Sequence, residues 1–212
     1  MTALEKFAAA LPHLPLIGIL RGLHPDEAVP VGEALVDTGW RLIEVPLNSP
    51  QPFSSIGQLA TRFPQALVGA GTVLTVDDVR RVHEAGGQLV VSPNFNADVV
   101  RETVRLGMLS LPGVITPSEA FAALAAGAHG LKLFPAEMVS PGVLKAMRAV
   151  LPASTLLMPV GGITPDNMAA WRAAGASGFG IGSALYKPGM DAQQVRAAAQ
   201  RFSQAWAGTI PA

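Results

Sequence analysis

The 212-residue sequence contains no cysteine and few charged residues. Without cysteine, neither a disulfide framework nor a thiolate metal site is available. Charged residues form 14% of the chain, their formal sum at pH 7 is zero, and lysine and arginine do not cluster, which argues against nucleic acid or an anionic membrane as a partner. No apolar run reaches the roughly 18 residues of a membrane span. We therefore expect a soluble protein that binds a small molecule.

The N-terminus lacks the basic-then-apolar pattern of a secretory signal, so we expect a cytoplasmic location. Lysine is also scarce. Three of the four lysines, Lys6, Lys145 and Lys187, fall on an N-terminal helix, a helix face and a turn, where an ammonium group is easily solvated. Lys132 instead lies in an apolar segment that predicts a buried strand, and burial lowers the pKa of a lysine. Because the neutral amine attacks carbonyl groups, Lys132 is a candidate Schiff-base lysine.

Half of the residues are apolar and no low-complexity tract occurs, so residues 1–212 are predicted to form a single domain. Eight short apolar runs alternate with amphipathic stretches, which predicts an α/β fold with a parallel sheet. We predict a closed (β/α)8 TIM barrel, because this fold uses all eight strands and leaves no sheet edge exposed. The alternative is an open doubly wound sheet, but the sequence lacks the glycine-rich turn that follows the first strand of that fold. The predicted strands are Leu16 to Leu20, Arg41 to Val45, Ala66 to Ala70, Gln88 to Val91, Met108 to Leu111, Gly130 to Leu133, Thr155 to Val160 and Gly178 to Ile181.

The predicted helices carry start and stop signals. Thr75, Thr116 and Thr164 each precede a proline or an acidic first turn, as N-cap residues do. Glycine follows many helical stretches, which is typical of left-handed C-caps, at Gly39, Gly86, Gly107, Gly127 and Gly175. An extra N-terminal helix, Thr2 to Leu11, is predicted to cover the bottom of the barrel.

Alternation along the strands predicts that polar side chains converge at the carboxyl ends, where active sites of this fold lie. Arg21 shares a face with the interior positions of the first strand, and Glu44 is the one carboxylate inside any predicted strand. Thr72 follows the third strand. Lys132 lies on the sixth strand, with Phe134 on the same face.

A lysine amine beside a carboxylate suits Schiff-base chemistry. The amine forms an iminium with a ketone, which accepts electrons as a neighbouring carbon–carbon bond breaks, and the carboxylate transfers the protons. The four histidines are scattered and form no recognised ligand pattern, which disfavours a metal-dependent aldolase. We expect neither a metal nor an organic cofactor.

Glycines at the ends of the last two predicted strands indicate an anion site. Gly161 and Gly162 follow the seventh strand, and Gly182 and Ser183 follow the eighth. Backbone amides at these positions often bind phosphate in barrels, so a phosphorylated substrate is predicted. Glycine pairs are common in ordinary turns, and only their positions on these two strands make them informative.

Along nearly its whole length the chain resembles the class I 2-keto-3-deoxy-6-phosphogluconate and 6-phosphogalactonate aldolases. The resemblance implies Lys132 as the Schiff-base lysine, Glu44 as the general acid/base, and a homotrimer. It also implies substrate contacts from Arg21, Thr72, Pro93, Phe134, Val160, Gly161, Gly162, Gly182 and Ser183. The segments that carry the resemblance are 18–22, 43–50, 69–74, 92–94, 131–136 and 160–163.

Two features favour the phosphogalactonate branch of the family. The substrates of the two branches differ only in configuration at C4. Residues 46–50 stand where the other branch usually carries an Arg-Thr pair, and Val160 stands where it tends to have threonine. We expect reversible cleavage of 2-dehydro-3-deoxy-6-phosphogalactonate to pyruvate and D-glyceraldehyde 3-phosphate, a step of galactonate catabolism. The alternatives are 2-dehydro-3-deoxy-6-phosphogluconate or 4-hydroxy-2-oxoglutarate as substrate, a phosphoribosyl-type isomerase, and a sugar-phosphate-binding barrel without turnover.

Structural roles compete with several of these assignments. A strand-end lysine such as Lys132 can extend to solvent, and Glu44 can form a structural ion pair with Arg21 or Lys132. Thr72 can be a helix cap, and Pro93 can belong to a simple turn.

Overall fold

The structure is a computed structural model and describes residues 1–208. Short strands alternate with helices along this part of the chain. The strands are β1 Leu16–Ile19, β2 Leu42–Pro46, β3 Leu67–Gly71, β4 Leu89–Val91, β5 Leu109–Leu111, β6 Gly113–Val114, β7 Leu131–Leu133, β8 Leu157–Pro159 and β9 Phe179–Ile181.

All strand pairings are parallel. Six strands form one sheet in the order β5-β4-β3-β2-β1-β9, and three form a second in the order β6-β7-β8. The predicted α/β fold with parallel strands is therefore confirmed, and each of the eight predicted strands overlaps an observed one, although β2 and β3 end one residue later than predicted. Only β6 was not predicted.

Backbone contacts join the two sheets at both of their edges. At one edge, a parallel bridge joins Val160, which directly follows β8, to Gly180 at the centre of β9. At the other edge, the backbone N–H of Lys132 donates to the carbonyl oxygen of Pro112, 2.9 Å away, in the link between β5 and β6. The strands consequently run in one direction, and their carboxyl ends lie on the same side of the molecule.

Pro112 divides one extended segment into two short strands. The first, β5, pairs with β4, and the second, β6, pairs with β7. The sequence predicted a strand only as far as Leu111, because proline lacks a backbone donor and glycine weakens strands. Gly113 is required here, since a Cβ at this position would lie 2.3 Å from the carbonyl oxygen of Pro93.

Except for the N-terminal helix, the α-helices pack on the outer face of the strands and form the larger apolar core with them. Within residues 1–208, no helix is long and apolar enough to cross a membrane. The α-helices are α1 Ala3–Ala10, α2 Pro25–Asp37, α3 Pro52–Arg62, α4 Val76–Glu84, α5 Ala97–Arg105, α6 Pro117–Ala125, α7 Pro141–Arg148, α8 Met168–Ala173 and α9 Ala192–Gly208, and a 3₁₀ helix spans Ala136–Met138.

Most predicted helix ends are confirmed. The Thr75 and Thr116 hydroxyls accept hydrogen bonds from the third residues of α4 and α6, and the five predicted C-terminal glycines have positive φ angles. The prediction that Thr164 caps a helix was wrong. The chain first makes a turn, so α8 begins only at Met168, and the Asn167 side chain accepts from the Thr164 N–H at 3.0 Å.

The predicted N-terminal helix is confirmed as α1, with Thr2 as its N-cap. Phe7 and its buried neighbours pack against apolar residues from the inner faces of β1 to β5. The Lys6 ammonium donates to the Gln88 side chain at 2.6 Å and to the Ala66 carbonyl at 3.2 Å. Because Ala66 and Gln88 directly precede β3 and β4, α1 covers the amino ends of these strands.

Candidate active site

The carboxyl ends of the strands surround a cavity of about 540 Å³. It is lined by loops that follow β1, β2, β7, β8 and β9. Eight of the predicted site residues line it: Arg21, Lys132, Phe134, Val160, Gly161, Gly162, Gly182 and Ser183.

Lys132 lies at the centre of β7 and faces the cavity. Its neighbours Leu131 and Leu133 pack into the outer core, and strand alternation turns the lysine to the opposite face. The residue is only 6% exposed, and its ammonium lies 4.3 Å from the centroid of the Phe134 ring. Burial lowers the pKa of Lys132; the Glu44 carboxylate opposes this shift, and the Arg21 guanidinium adds to it. The amine is thus set to lose its proton more readily than a solvated lysine.

Glu44 lies on the inner face of β2 and is buried. Burial raises the pKa of Glu44 from 4.5 to about 7, against the opposing charges of Lys132 and Arg21. Among the described residues, its Oε2 atom has no hydrogen-bond partner. A buried carboxyl with an unpartnered oxygen and a pKa near neutrality can both accept and donate a proton in the physiological pH range.

Lys132 and Glu44 are therefore electrostatically coupled, and neither is tied into a structural ion pair within residues 1–208. A lysine with a lowered pKa can supply a nucleophilic nitrogen, and a glutamate with a raised pKa can carry a proton. This combination is what iminium chemistry at a carbonyl carbon needs.

Gly71 makes room for the Glu44 carboxylate. A Cβ at position 71 would lie 1.9 Å from Glu44 Oε2 and 2.3 Å from its Cδ. We predict that Gly71→Ala lowers the free energy of unfolding by about 1 to 3 kcal/mol, because the buried carboxylate must move. Urea denaturation measures this loss, with Gly182→Ala as the control, since its added Cβ meets nothing within 4 Å. Equal stability of the two variants would contradict the close packing of Glu44.

Arg21 lies in the loop after β1 and is held by the loop after β2. Its guanidinium donates to Asn48 Oδ1 at 2.6 Å, and the backbone N–H of Gly22 donates to Ser49 Oγ at 2.9 Å. Asn48 also lines the cavity. No role was predicted for Asn48, because nothing local to residues 46–50 indicates that this loop meets Arg21.

Gly161 and Gly162 follow β8 with φ angles of 111° and 63°, a conformation that side chains rarely allow. Within residues 1–208, the backbone N–H groups of Gly161, Gly162 and Ser183 make no hydrogen bond, and all three residues line the cavity. Successive free amides in such turns form concave sites that bind anions. This end of the cavity can accordingly hold a phosphate group.

Three predicted residues, Glu44, Thr72 and Pro93, do not line the cavity. Thr72 directly follows Gly71 at the end of β3 and has a φ of 57°, and Pro93 follows β4 beside β6. Two charged residues that sequence reasoning did not assign to the site, Glu137 and Lys187, do line it. Lys187 occurs in a Lys-Pro-Gly turn, which predicted only a solvated position. No group of three or more potential metal ligands occurs within residues 1–208.

Comparisons with known proteins agree on one family. The family model for KDPG and KHG aldolase matches residues 8–200. A probable 2-dehydro-3-deoxy-6-phosphogalactonate aldolase of Rhizobium meliloti (strain 1021) is 52% identical, over 86% of each chain. The 2-dehydro-3-deoxy-6-phosphogalactonate aldolase of Escherichia coli (strain K12) is 44% identical, over 91% of this chain and 95% of the relative. A solved structure described as native KDPGal superposes with a TM-score of 0.91 at 44% identity, over 92% of this chain and 96% of that one.

Proposed function

Because the chain belongs to the KDPG and KHG aldolase family and is a carbon–carbon lyase, we propose that its substrate is 2-dehydro-3-deoxy-6-phosphogalactonate. The products are pyruvate and D-glyceraldehyde 3-phosphate. One observation carries the proposal: a buried lysine that lines the cavity is electrostatically coupled to a buried glutamate, and the same cavity offers free backbone amides. The amine suits the keto group of this substrate, and the amides suit its phosphate.

In the proposed reaction, the neutral amine of Lys132 attacks the C2 carbonyl carbon and forms a carbinolamine. Loss of water gives an iminium. The C4 hydroxyl gives up its proton, the C3–C4 bond breaks, and its electron pair moves through C3 to the iminium nitrogen. This step releases D-glyceraldehyde 3-phosphate and leaves an enamine. Protonation of the enamine at C3 and hydrolysis of the iminium then release pyruvate and free Lys132.

Glu44 carries the protons in this sequence. As a carboxylate it accepts the C4 hydroxyl proton, directly or through a water molecule, and as the acid it protonates C3 of the enamine. A pKa near 7 suits both steps, because the two forms are present in comparable amounts at neutral pH. The opposing charge of Lys132 keeps the acid from becoming permanently protonated.

In this proposal, the other predicted site residues bind the substrate along its length. Arg21 and Thr72 hold the pyruvyl carboxylate and neighbouring oxygens. The free amides of Gly161 and Gly162, together with the loop of Gly182 and Ser183, hold the phosphate, while Pro93, Phe134 and Val160 contact the carbon chain. Lys187, which lines the same cavity in the chain segment after β9, supplies a cation.

The choice of C4 epimer is tested by a coupled assay of pyruvate release with both substrates. We expect a higher kcat/KM for the phosphogalactonate epimer. Val160→Thr adds a hydroxyl at the end of β8, and we expect it to shift the ratio of kcat/KM towards the phosphogluconate epimer by about 1 kcal/mol, or roughly fivefold.

Val143→Thr, the same change on the exposed surface of α7, is the matched control and should leave the ratio unchanged. A ratio that favours phosphogluconate in the unmodified enzyme would overturn the assigned substrate and leave the lyase chemistry intact.

Three further features belong to this proposal. The two sheets form a single closed (β/α)8 barrel, which the Val160–Gly180 bridge and the Lys132–Pro112 hydrogen bond support. The enzyme is a homotrimer, as the family resemblance implies, and sedimentation should give about three times the 21.9 kDa chain mass. Its location is cytoplasmic, in keeping with a chain that has no cysteine.

A further inference from the structure

Glu137 lies against the glycines of the proposed phosphate site. It belongs to the 3₁₀ helix Ala136–Met138, which follows the strand of Lys132, and it lines the same cavity. A Cβ on Gly161 would lie 2.0 Å from Glu137 Oε2, and a Cβ on Gly162 would lie 2.9 Å from Glu137 Cγ. The carboxylate therefore rests directly on the two residues whose backbone amides are free.

The carboxylate of Glu137 has no partner that explains this position. Within residues 1–208 it makes neither a hydrogen bond nor an ion pair, and the residue is exposed. Solvent would hydrate it equally well if it pointed away from the cavity. Instead, a negative group lies where a phosphate would bind, so a phosphate meets both a steric and an electrostatic competitor there.

We propose that Glu137 is an internal competitor for the phosphate site, an inference that rests on the proposed function. An anion held only by the backbone amides must displace the carboxylate and gains little in return. A phosphorylated keto acid is also held at its other end, by Arg21 and by the Lys132 nitrogen, and it has the additional binding energy to displace Glu137. Glu137 thereby lowers the occupancy of the site by free inorganic phosphate, while the substrate still binds.

The test compares Glu137→Gln and Glu137→Ala with the unmodified enzyme, using inorganic phosphate as the probe. Calorimetry gives its dissociation constant, and inhibition of turnover gives its inhibition constant. Because Glu137→Gln removes a like charge close to the phosphate, we expect it to lower both constants about five- to tenfold. Glu137→Ala also clears the space over Gly161, so it should lower the dissociation and inhibition constants of phosphate further.

Glu84→Gln, the same change at an exposed site at the end of α4, is the matched control and should leave both constants unchanged. Unchanged or weaker phosphate binding in both Glu137 variants would overturn the inference, since a carboxylate that merely supports the glycine turn predicts weaker binding. Borohydride trapping of pyruvate on the unmodified enzyme distinguishes a failure of the Glu137 inference from a failure of the proposed function. Trapping at Lys132 with no gain in phosphate affinity rejects the role of Glu137 alone, whereas no trapping rejects the proposed function as well.

Discussion

Replacing Lys132 with methionine is expected to abolish pyruvate formation, with a loss of turnover on the order of 10⁴- to 10⁶-fold, as for other residues that act as covalent nucleophiles. Methionine has similar length and suits the buried position, so the fold is retained. The loss then reports the missing nitrogen, without which neither the iminium nor the enamine can form.

Borohydride reduction in the presence of pyruvate gives the direct measurement. In the unmodified enzyme, mass spectrometry should find the reduced pyruvyl adduct on the peptide that contains Lys132, and the methionine variant should carry none. Lys145→Met, an exposed lysine on α7, is the matched control and should keep both the adduct and full turnover. Turnover that survives in Lys132→Met would exclude an iminium mechanism at this residue.

Glu44→Gln is expected to lower turnover by about 10²- to 10⁴-fold, the usual contribution of a positioned acid or base. The cleavage reaction of the unmodified enzyme should rise with pH through about 7, because the carboxylate form of Glu44 accepts the C4 hydroxyl proton. The variant should lose this inflection from its profile of kcat/KM against pH. The exposed Glu84→Gln serves as the control, and persistence of the inflection in Glu44→Gln would assign it to another group.

Glu44→Gln, which is expected to lower turnover, should raise the stability of the fold. The pKa of Glu44 is raised on folding from 4.5 to about 7, so the folded state favours the protonated form. The protonated Glu44 contributes to the free energy of unfolding, and this contribution is fully present below pH 4.5 and is lost as the pH rises through about 7. Because glutamine cannot ionise, Glu44→Gln should gain stability relative to the unmodified enzyme between pH 5 and pH 8, by up to about 3 kcal/mol. Urea denaturation at the two pH values measures the gain, and a relative loss at pH 8 would show that the carboxylate is well compensated.

The strands and the two central site residues could be predicted because each follows from local pattern. Short apolar runs locate the strands, and alternation assigns Glu44 and Lys132 to the inner face. A charged residue in an apolar strand is also conspicuous in any sequence. The extension of β5 past Pro112 was not predictable, since it depends on a backbone pairing with β7 that only the assembled sheets provide.

The loop residues of the site were harder to predict, because their roles depend on which loops meet. Asn48, Glu137 and Lys187 are separated by large stretches of sequence, yet all line one cavity. Each is a polar residue near a proline or a helix start, where solvent exposure is the ordinary expectation. Only the three-dimensional arrangement shows that Asn48 holds Arg21 and that Glu137 covers Gly161.

The left-handed backbone of Thr72 carries an evolutionary consequence. A β-branched residue at a φ of 57° is strained by about 1 to 3 kcal/mol, and glycine would relieve that strain without disturbing the strand before it. Selection for heat resistance alone therefore favours glycine at this position, whereas selection for turnover favours the hydroxyl that we propose binds the substrate. Among relatives adapted to different temperatures, position 72 is thus a place where stability and catalysis trade against each other.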